Sequence, residues 1–175
     1  MAIWPGTNER GRKIMAFDDG WAFCNKCATL FFNREDNKGV CPTDGGGHNG
    51  DPTLPYVVGF DRPLTANRIK GFKFCIKCRC LYLQDSQPDI ITGHTLGVCP
   101  TDGGRHATEP SLAYLLDRDR HQAHGQGQWV VCENCNCVVH GPESDRPGGC
   151  AGAGDVVIGH NPGSNPLLLM RFEGD

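Results

Sequence analysis

The sequence predicts an all-β protein built from three internal repeats of about four short strands each. Two observations predict the repeats. GVCPTDGGGH at residues 39–48 and GVCPTDGGRH at residues 97–106 match at nine of ten positions. A C-x-x-C pair precedes each copy, and a third pair, Cys132 and Cys135, occurs later in the chain. A third observation predicts the strands, because short runs of aromatic and β-branched residues recur between turns rich in Gly and Pro.

Each predicted repeat contains four strand-like segments in the same order. They are GWAFC, ATLFF, GVCP and PYVVGF in repeat one, GFKFC, CLYLQ, GVCP and LAYLLD in repeat two, and QWVVC, CVVH, DVVIG and LLLMRF in repeat three. The stretch PSLAYLLDRDRHQAH has passable helical spacing. Because its first half aligns with strands of the other repeats, it is also predicted as a strand.

The predicted organisation is an N-terminal arm over residues 1–19, followed by repeats over residues 20–63, 71–117 and 128–173 in one compact domain. Four strands in each of three repeats give about twelve, which matches a β-trefoil-like threefold body. The alternative is three tandem zinc ribbons. Short connectors favour one joint body, and a single ribbon is too small to bury the aromatic residues.

The cysteines favour a metal over disulfides. With 24 glycines, 12 prolines and 38% hydrophobic residues, the core is modest and needs further stabilisation. Eleven cysteines cannot all pair within one chain. A histidine recurs at the same place in each repeat, which a metal requires and disulfides do not. The predicted zinc ligands are Cys24, Cys27, Cys41 and His48; Cys75, Cys78, Cys99 and His106; and Cys132, Cys135, Cys150 and His160.

Four protein ligands leave no coordination position for water, so the predicted cofactor is three structural zinc ions and no catalytic residue is predicted. The third site departs from the others, since CPTDGG is replaced by CAGAGD. Cys80 and Cys137 lie where repeat one has Thr29. We interpret both as small buried side chains, with an alternative ligand or a redox thiol left open.

The order W-x-F-C-x-K-C-x-x-L-F, then G-x-C-P-x-x-G-G-x-H and a Tyr-bearing strand, resembles a small tandem zinc-binding repeat of bacterial and fungal proteins. The resemblance covers about 140 of the 175 residues. Such repeats occur alone or appended to secreted hydrolases and toxins, which implies an accessory binding module. Repeat two has Phe72 in place of Trp, and repeat three lacks Cys-Pro and has Leu168 in place of Tyr. The matching residues of repeat one are Trp21, Cys24, Lys26, Cys27, Leu30, Phe31, Gly39, Cys41, Pro42, Gly45, Gly46, His48 and Tyr56.

The expected function is non-enzymatic, lectin-like and multivalent recognition of a carbohydrate or protein surface ligand. Sugar binding commonly uses an exposed aromatic face beside Asp or Asn. The candidate ligand-binding residues are Asp44, Asn49, Asp51 and Tyr56 in repeat one, and Asp102, Glu109 and Tyr114 in repeat two. Asp44 and Asp102 also fit a turn, because Asp bonds back to the chain and the following glycines supply positive φ.

Two other classes stay open, namely single-stranded nucleic-acid binding through zinc ribbons and a structural or assembly role. The formal net charge of −3 disfavours a nucleic-acid partner. No Ser-His-Asp order or glycine-rich loop opening a helix points to an enzyme. The basic and aromatic residues that are suited to nucleic-acid stacking are Arg68, Lys70, Phe72, Lys73, Phe74, Lys77 and Arg79.

The N-terminus lacks an apolar stretch of the length that a signal peptide needs, and the chain has no apolar run of about eighteen residues. We therefore expect no membrane insertion. The expected location is the cytoplasm, or outside the cell after export without a recognisable signal peptide.

Overall fold

The computed structural model describes residues 16–84, 97–108, 112–119, 124–145, 149–153, 159–162 and 167–172. Within these ranges the protein is all-β, with two short 3-10 turns and no α-helix, and no described helix could cross a membrane. The nine strands of the described ranges form one sheet. The strands are β1 (Ala16–Cys24), β2 (Leu30–Phe32), β3 (Gly50–Phe60), β4 (Arg68–Phe74), β5 (Leu81–Leu83), β6 (Tyr114–Arg118), β7 (Gln126–Val131), β8 (Val138–His140) and β9 (Leu168–Phe172).

The strands pair in the same order in each predicted repeat. β1 pairs with β2 and β3, β4 with β5 and β6, and β7 with β8 and β9, always antiparallel. The last strands of the three groups, β3, β6 and β9, all pair with one another. Isolated bridges also join the second strands, β2, β5 and β8, or the residues beside them. The sheet therefore nearly closes on itself, which leaves little free edge.

The prediction of an all-β fold is confirmed, while the twelve strands of a trefoil are not. Residues 39–42 and 97–100, which were expected to be strands, are irregular backbone leading into a turn. Residues 155–158 of the third such segment lie outside the described ranges. Because all nine described strands share one sheet, they do not form three separate ribbons. Strand β1 begins at Ala16, inside the predicted N-terminal arm.

Alternation along the strands divides the interior into two layers. On β1, Trp21 and Phe23 point into an apolar core, whereas Ala22 and Cys24 belong to a cluster that contains all eleven cysteines. The same alternation on β7 places Trp129 in the apolar core and Val130 in the cysteine cluster. Strand periodicity therefore sorts packing residues and metal-ligand candidates to opposite sides.

The apolar core is shared between the predicted repeats. Trp21 of repeat one meets Tyr114 of repeat two edge to face, with ring centroids 5.5 Å apart. Tyr56 of repeat one meets Trp129 of repeat three in the same way at 5.4 Å. These four rings are at most 3% exposed. No single repeat encloses these aromatic residues by itself, so core packing links the repeats in addition to the strand pairing between them.

Candidate metal centres

Each C-x-x-C pair forms a tight turn directly after the first strand of its group. The residue after the second cysteine takes a positive φ, and its N–H donates to the carbonyl of the first cysteine at 2.8 Å in all three turns. This turn brings the two sulfur atoms of each pair toward one point. The residues with the positive φ are Ala28 (61°), Arg79 (67°) and Asn136 (58°).

The third cysteine and the histidine come from a glycine-rich loop. The N–H of Gly45 donates to the carbonyl of Cys41 at 2.9 Å, and the N–H of Cys41 donates to the carbonyl of Gly46 at 2.6 Å. The same pair of bonds recurs around Cys99 in repeat two. The loop thus closes on its own backbone and holds the third sulfur under the C-x-x-C turn.

The structure brings all twelve predicted ligands together as three groups. In each group, one ligand atom from every residue lies within 4.8 Å of the others. Eleven of the twelve side chains are buried, and His106 is half-buried. The groups are Cys24, Cys27, Cys41 and His48; Cys75, Cys78, Cys99 and His106; and Cys132, Cys135, Cys150 and His160.

The distances fit one tetrahedral ion per group. The second cysteine of each pair places Sγ 3.4 Å from the histidine Nδ1 in all three groups. The sulfurs of Cys75 and Cys99 are 3.9 Å apart, and those of Cys132 and Cys150 are 3.6 Å apart. Metal bonds of about 2.3 Å to sulfur and about 2.0 Å to nitrogen require S–S distances of about 3.8 Å and S–N distances of about 3.5 Å. A disulfide needs about 2.05 Å, and all eleven cysteines are free.

The thiols of the first group shift one another's pKa values in opposite directions. Hydrogen bonds from Cys27 and Cys41 lower the pKa of Cys24, whereas burial raises the pKa of Cys27 well above its ordinary value. Three thiolates therefore cannot share this buried space without a compensating cation. A divalent ion with an affinity for sulfur and imidazole supplies that charge, which is the chemistry of a zinc-type site.

The second ring nitrogen of each histidine bonds to the next repeat. With Nδ1 facing the sulfurs, Nε2 carries the hydrogen and donates it outward. The partners are the Sγ of Cys80 for His48 (3.3 Å), the carbonyl of Cys135 for His106 (2.8 Å) and the carbonyl of Cys27 for His160 (2.9 Å). Such bonds orient ligand histidines and are typical of metal sites. The third bond returns to repeat one, so the three sites form a closed ring of contacts.

Cys80 and Cys137 are buried, at 1% and 3% exposure, as the sequence predicts. Neither belongs to a group of metal-ligand candidates. Burial raises the pKa of Cys80 to about 12, so this thiol stays protonated near neutral pH. Its sulfur accepts the His48 hydrogen bond, a role that sequence alone did not reveal.

The contact between His48 and Cys80 predicts a difference between two similar substitutions. Cys80→Ala removes the sulfur that accepts the hydrogen bond from Nε2 of His48, so a zinc ion held by that histidine should become roughly tenfold more labile or worse. Cys137→Ala should change zinc release much less, because the Cys137 sulfur lies 3.7 Å from Nε2 of His106, and that nitrogen keeps the Cys135 carbonyl at 2.8 Å. Zinc transfer to a chromophoric chelator measures both. Equal release from the two variants would contradict this assignment.

A lysine inside each of the first two C-x-x-C turns holds the glycine-rich loop. Nζ of Lys26 donates to both carboxylate oxygens of Asp44, at 2.9 and 2.7 Å, and to the carbonyl of Gly47 at 2.7 Å. Lys77 and Asp102 repeat the arrangement at the same distances. The N–H of Gly46 donates to Asp44 at 3.0 Å, as a turn requires. Asp44 and Asp102, both candidate ligand-binding residues, therefore stabilise the conformation of their own loops.

Gly39 and Gly45 have nearly the same positive φ, but only Gly39 lies against another part of the chain. Alanine substitutions at the two positions therefore distinguish the cost of backbone strain from the cost of a steric clash. Gly39 has φ of 68°, and a Cβ there would lie 2.2 Å from the carbonyl oxygen of Cys78. Gly45 has φ of 71° and nothing within 4 Å of a Cβ. We expect Gly45→Ala to lower the free energy of unfolding by about 1–2 kcal/mol. Gly39→Ala should cost considerably more, and chemical denaturation of both variants tests this. Similar losses of stability in the two variants would show that the backbone at Cys78 can move away from the added methyl group.

The remaining ligand candidates do not form an exposed aromatic site. Tyr56 and Tyr114 are 0% and 3% exposed, and their hydroxyls donate to Gln126 and Asp18. The expectation that they present an open face to a sugar is therefore wrong, because these rings fill the shared core. Asn49 is exposed. Glu109 and the side chain of Asp51 lie outside what the structure describes.

The basic and aromatic stretch of repeat two is largely engaged within the protein. Phe72 is 1% exposed. Arg79 pairs with Glu35 and lies 4.8 Å over the ring of Phe74. Lys73 donates to a backbone carbonyl at 3.2 Å. These contacts leave little of the stretch as an open surface for stacking bases.

Comparisons with protein-family models, with curated proteins and with solved structures found no match to the chain.

The donor sets themselves define the class of site. Each group offers three sulfurs and one imidazole around a single point. Four protein donors complete a tetrahedron, so the arrangement is suited to holding a metal rather than activating water on it.

Proposed function

We propose that this chain is a non-enzymatic binding protein whose threefold β body is stabilised by three structural zinc ions. The observation that carries the proposal is the set of three buried groups, each with three cysteines and one histidine. Recurrence of the same strand pairing in each predicted repeat supports the threefold arrangement. The tetrahedral distances and the outward histidine bonds support zinc as the metal.

A structural role follows from the ligand count. Catalytic zinc usually keeps one coordination position for water or substrate. Here four protein donors surround each site, and the sulfurs are almost entirely shielded from solvent. The ions would hold the C-x-x-C turn, the glycine-rich loop and, through the histidine, the next repeat in place.

Cobalt substitution tests whether the sites are closed. We expect Co²⁺ to replace zinc and to give the absorption of tetrahedral coordination by three sulfurs and one nitrogen at three sites per chain. Added azide or cyanide should leave the spectrum unchanged, since no position is open. A spectrum that changes with the anion, or that indicates fewer than four protein ligands, would overturn the structural role.

For recognition we propose the two metal loops, defined as residues 43–47 and 101–105. All residues in both loops are exposed. The matching ion pairs of Lys26 with Asp44 and of Lys77 with Asp102 support a common loop shape, so the two loops would present similar surfaces to a carbohydrate or protein ligand. Two equivalent contacts on one rigid body raise avidity without any new type of contact.

A glycan array probed with the zinc-loaded protein tests the carbohydrate class. The matched variants are Thr43→Ala, Thr101→Ala and the double substitution, since both threonines are exposed in equivalent loop positions. Multivalent binding predicts that the double variant loses more signal than either single variant. Uniform background on all glycans would eliminate carbohydrates and leave protein surface ligands to be tested by the same variants.

A further inference from the structure

A pocket lies where the last strands of the three predicted repeats, β3, β6 and β9, meet. The pocket is small and open to solvent: the space within it that the centre of a water molecule can occupy is about 10 Å³, so an ion larger than water would extend into its mouth. Val57, Leu115 and Leu169 contribute apolar walls from the three strands. The charged residues that line it are Arg62, Asp117 and Arg171.

Three guanidinium groups converge on the carboxylate of Asp117: Arg62 and Arg171 line the pocket, and Arg68 contacts the carboxylate from outside the lining. Nε of Arg68 and Nε of Arg171 donate to the two oxygens of Asp117 at 3.1 and 3.0 Å. Nη1 of Arg62 lies 3.5 Å from the same carboxylate, and the Arg62 side chain is only 2% exposed. Three cations and one anion leave this cluster with a net charge of about +2 on a chain whose formal charge is −3.

The cluster occupies positions at which the repeats differ. Gly59, Asp117 and Arg171 each lie eleven residues after the histidine of their own metal site. The metal ligands are the same in all three repeats, whereas these positions hold a glycine, an acid and a base. A Cβ on Gly59 would lie 2.4 Å from Cδ of Arg62, so the glycine makes the space that Arg62 fills. The departure from symmetry is what creates the positive pocket.

The pKa shifts of Arg62 and Asp117 are consistent with an excess of positive charge in this cluster. Burial lowers the pKa of Arg62, and the charges of Arg68 and Arg171 act in the same direction against the attraction of Asp117. Burial works to raise the pKa of Asp117, but the hydrogen bond from Arg171 and the charge of Arg62 outweigh it, so the pKa of this carboxyl is lowered. Asp117 is therefore ionised at neutral pH, and the three arginines share it.

We propose that this pocket binds a phosphate dianion, either free or as the phosphoryl group of a small ester. Guanidinium groups match the geometry of phosphate oxygens and are the preferred donors for them. A dianion balances the +2 charge of the cluster, whereas a carboxylate balances only half of it. The proposal is independent of what the metal loops recognise. The competing explanation is that the arginines only tie the three repeats together.

Isothermal titration calorimetry at constant ionic strength tests the proposal on the zinc-loaded protein. The probes are inorganic phosphate, glucose 6-phosphate and acetate. Arg171→Gln removes one cation from a side chain that is 29% exposed, so the fold should tolerate it. Arg34→Gln is the matched control, since that arginine is 57% exposed and pairs with Asp19. Asp117→Asn raises the cluster charge, so it separates ligand binding from the stability of the ion pairs.

We expect saturable phosphate binding that Arg171→Gln weakens roughly tenfold or more and that Arg34→Gln leaves unchanged. Asp117→Asn should bind phosphate at least as tightly as the parent, although its thermal stability falls. Binding of glucose 6-phosphate as well would identify a phosphoryl group as the target, and binding of inorganic phosphate alone would identify the free ion. Absence of saturable binding, equal binding of acetate, or undiminished binding by Arg171→Gln would overturn the proposal and leave a purely structural cluster.

Discussion

Replacement of Cys24 by serine is expected to lower the zinc content from three ions to two per chain and to abolish cooperative folding at ambient temperature. Structural zinc sites contribute about 10–16 kcal/mol in small zinc-binding peptides. The whole stability of a domain is only about 5–15 kcal/mol. Loss of one site therefore removes as much free energy as the fold possesses. Elemental analysis and circular dichroism of the purified variant measure the two effects.

Cys137→Ser provides the matched control for this substitution. Cys137 is also buried, at 3% exposure, but it is not among the metal-ligand candidates. Thr29 occupies the equivalent position in repeat one, so a hydroxyl fits there. This variant should keep three zinc ions and a cooperative transition. If both cysteine variants retained three ions, Cys24 would not be a ligand.

Trp129→Ala is expected to lower the free energy of unfolding by about 3–5 kcal/mol, the range for truncating a large buried aromatic residue. The indole is 0% exposed. It packs against Tyr56 at 5.4 Å, Phe23 at 6.2 Å and His140 at 5.3 Å between ring centroids. Two of these partners belong to repeat one, so the cavity weakens the contact between repeats as well as the core.

Chemical denaturation followed by fluorescence and by circular dichroism measures this loss. Trp129→Phe is the control, because it keeps an aromatic ring and should lose substantially less stability. A shared core predicts that both probes report a single transition in each variant. Separate transitions, or a loss below about 1 kcal/mol, would indicate repeats that fold independently, contrary to the single sheet.

The metal ligands could be predicted because their pattern is local. A C-x-x-C pair can aim two sulfurs at one ion through a tight turn, as all three pairs do here, and the turn after Cys41 needs glycine at a positive φ, as Gly45 has at 71°. Both features are determined by short stretches of sequence. Each histidine precedes an equivalent residue of the next strand by eight positions, at Tyr56, Tyr114 and Leu168. This equal spacing identified His160 despite the altered loop around Cys150.

The partners of those ligands could not be predicted, because they come from other repeats. Nothing near His48 in the sequence identifies Cys80 as its hydrogen-bond acceptor, since 32 residues separate them. Lys26 and Asp44 likewise meet only once the metal loop folds back. The arginines around Asp117 are separated from it by 49 or more residues and converge only when β3, β6 and β9 meet.

The wrong assignment of the tyrosines has a clear physical cause. Tyr56 and Tyr114 were interpreted as ligand contacts, although the equivalent residue in repeat three is Leu168. A position that accepts both tyrosine and leucine is better explained by burial, and Leu168 is indeed 1% exposed. The hydroxyls are accommodated because Gln126 and Asp18 occupy equivalent positions on β7 and β1 and accept their hydrogen bonds.

Native mass spectrometry of the intact protein, compared with its denatured mass, tests the central claim most directly. Three closed sites predict a native mass that exceeds the denatured mass by three zinc ions per chain, with all eleven cysteines reduced. Two zinc ions would show that the altered third loop has lost its site. No metal, together with a denatured mass lowered by about two daltons for each disulfide, would contradict the account.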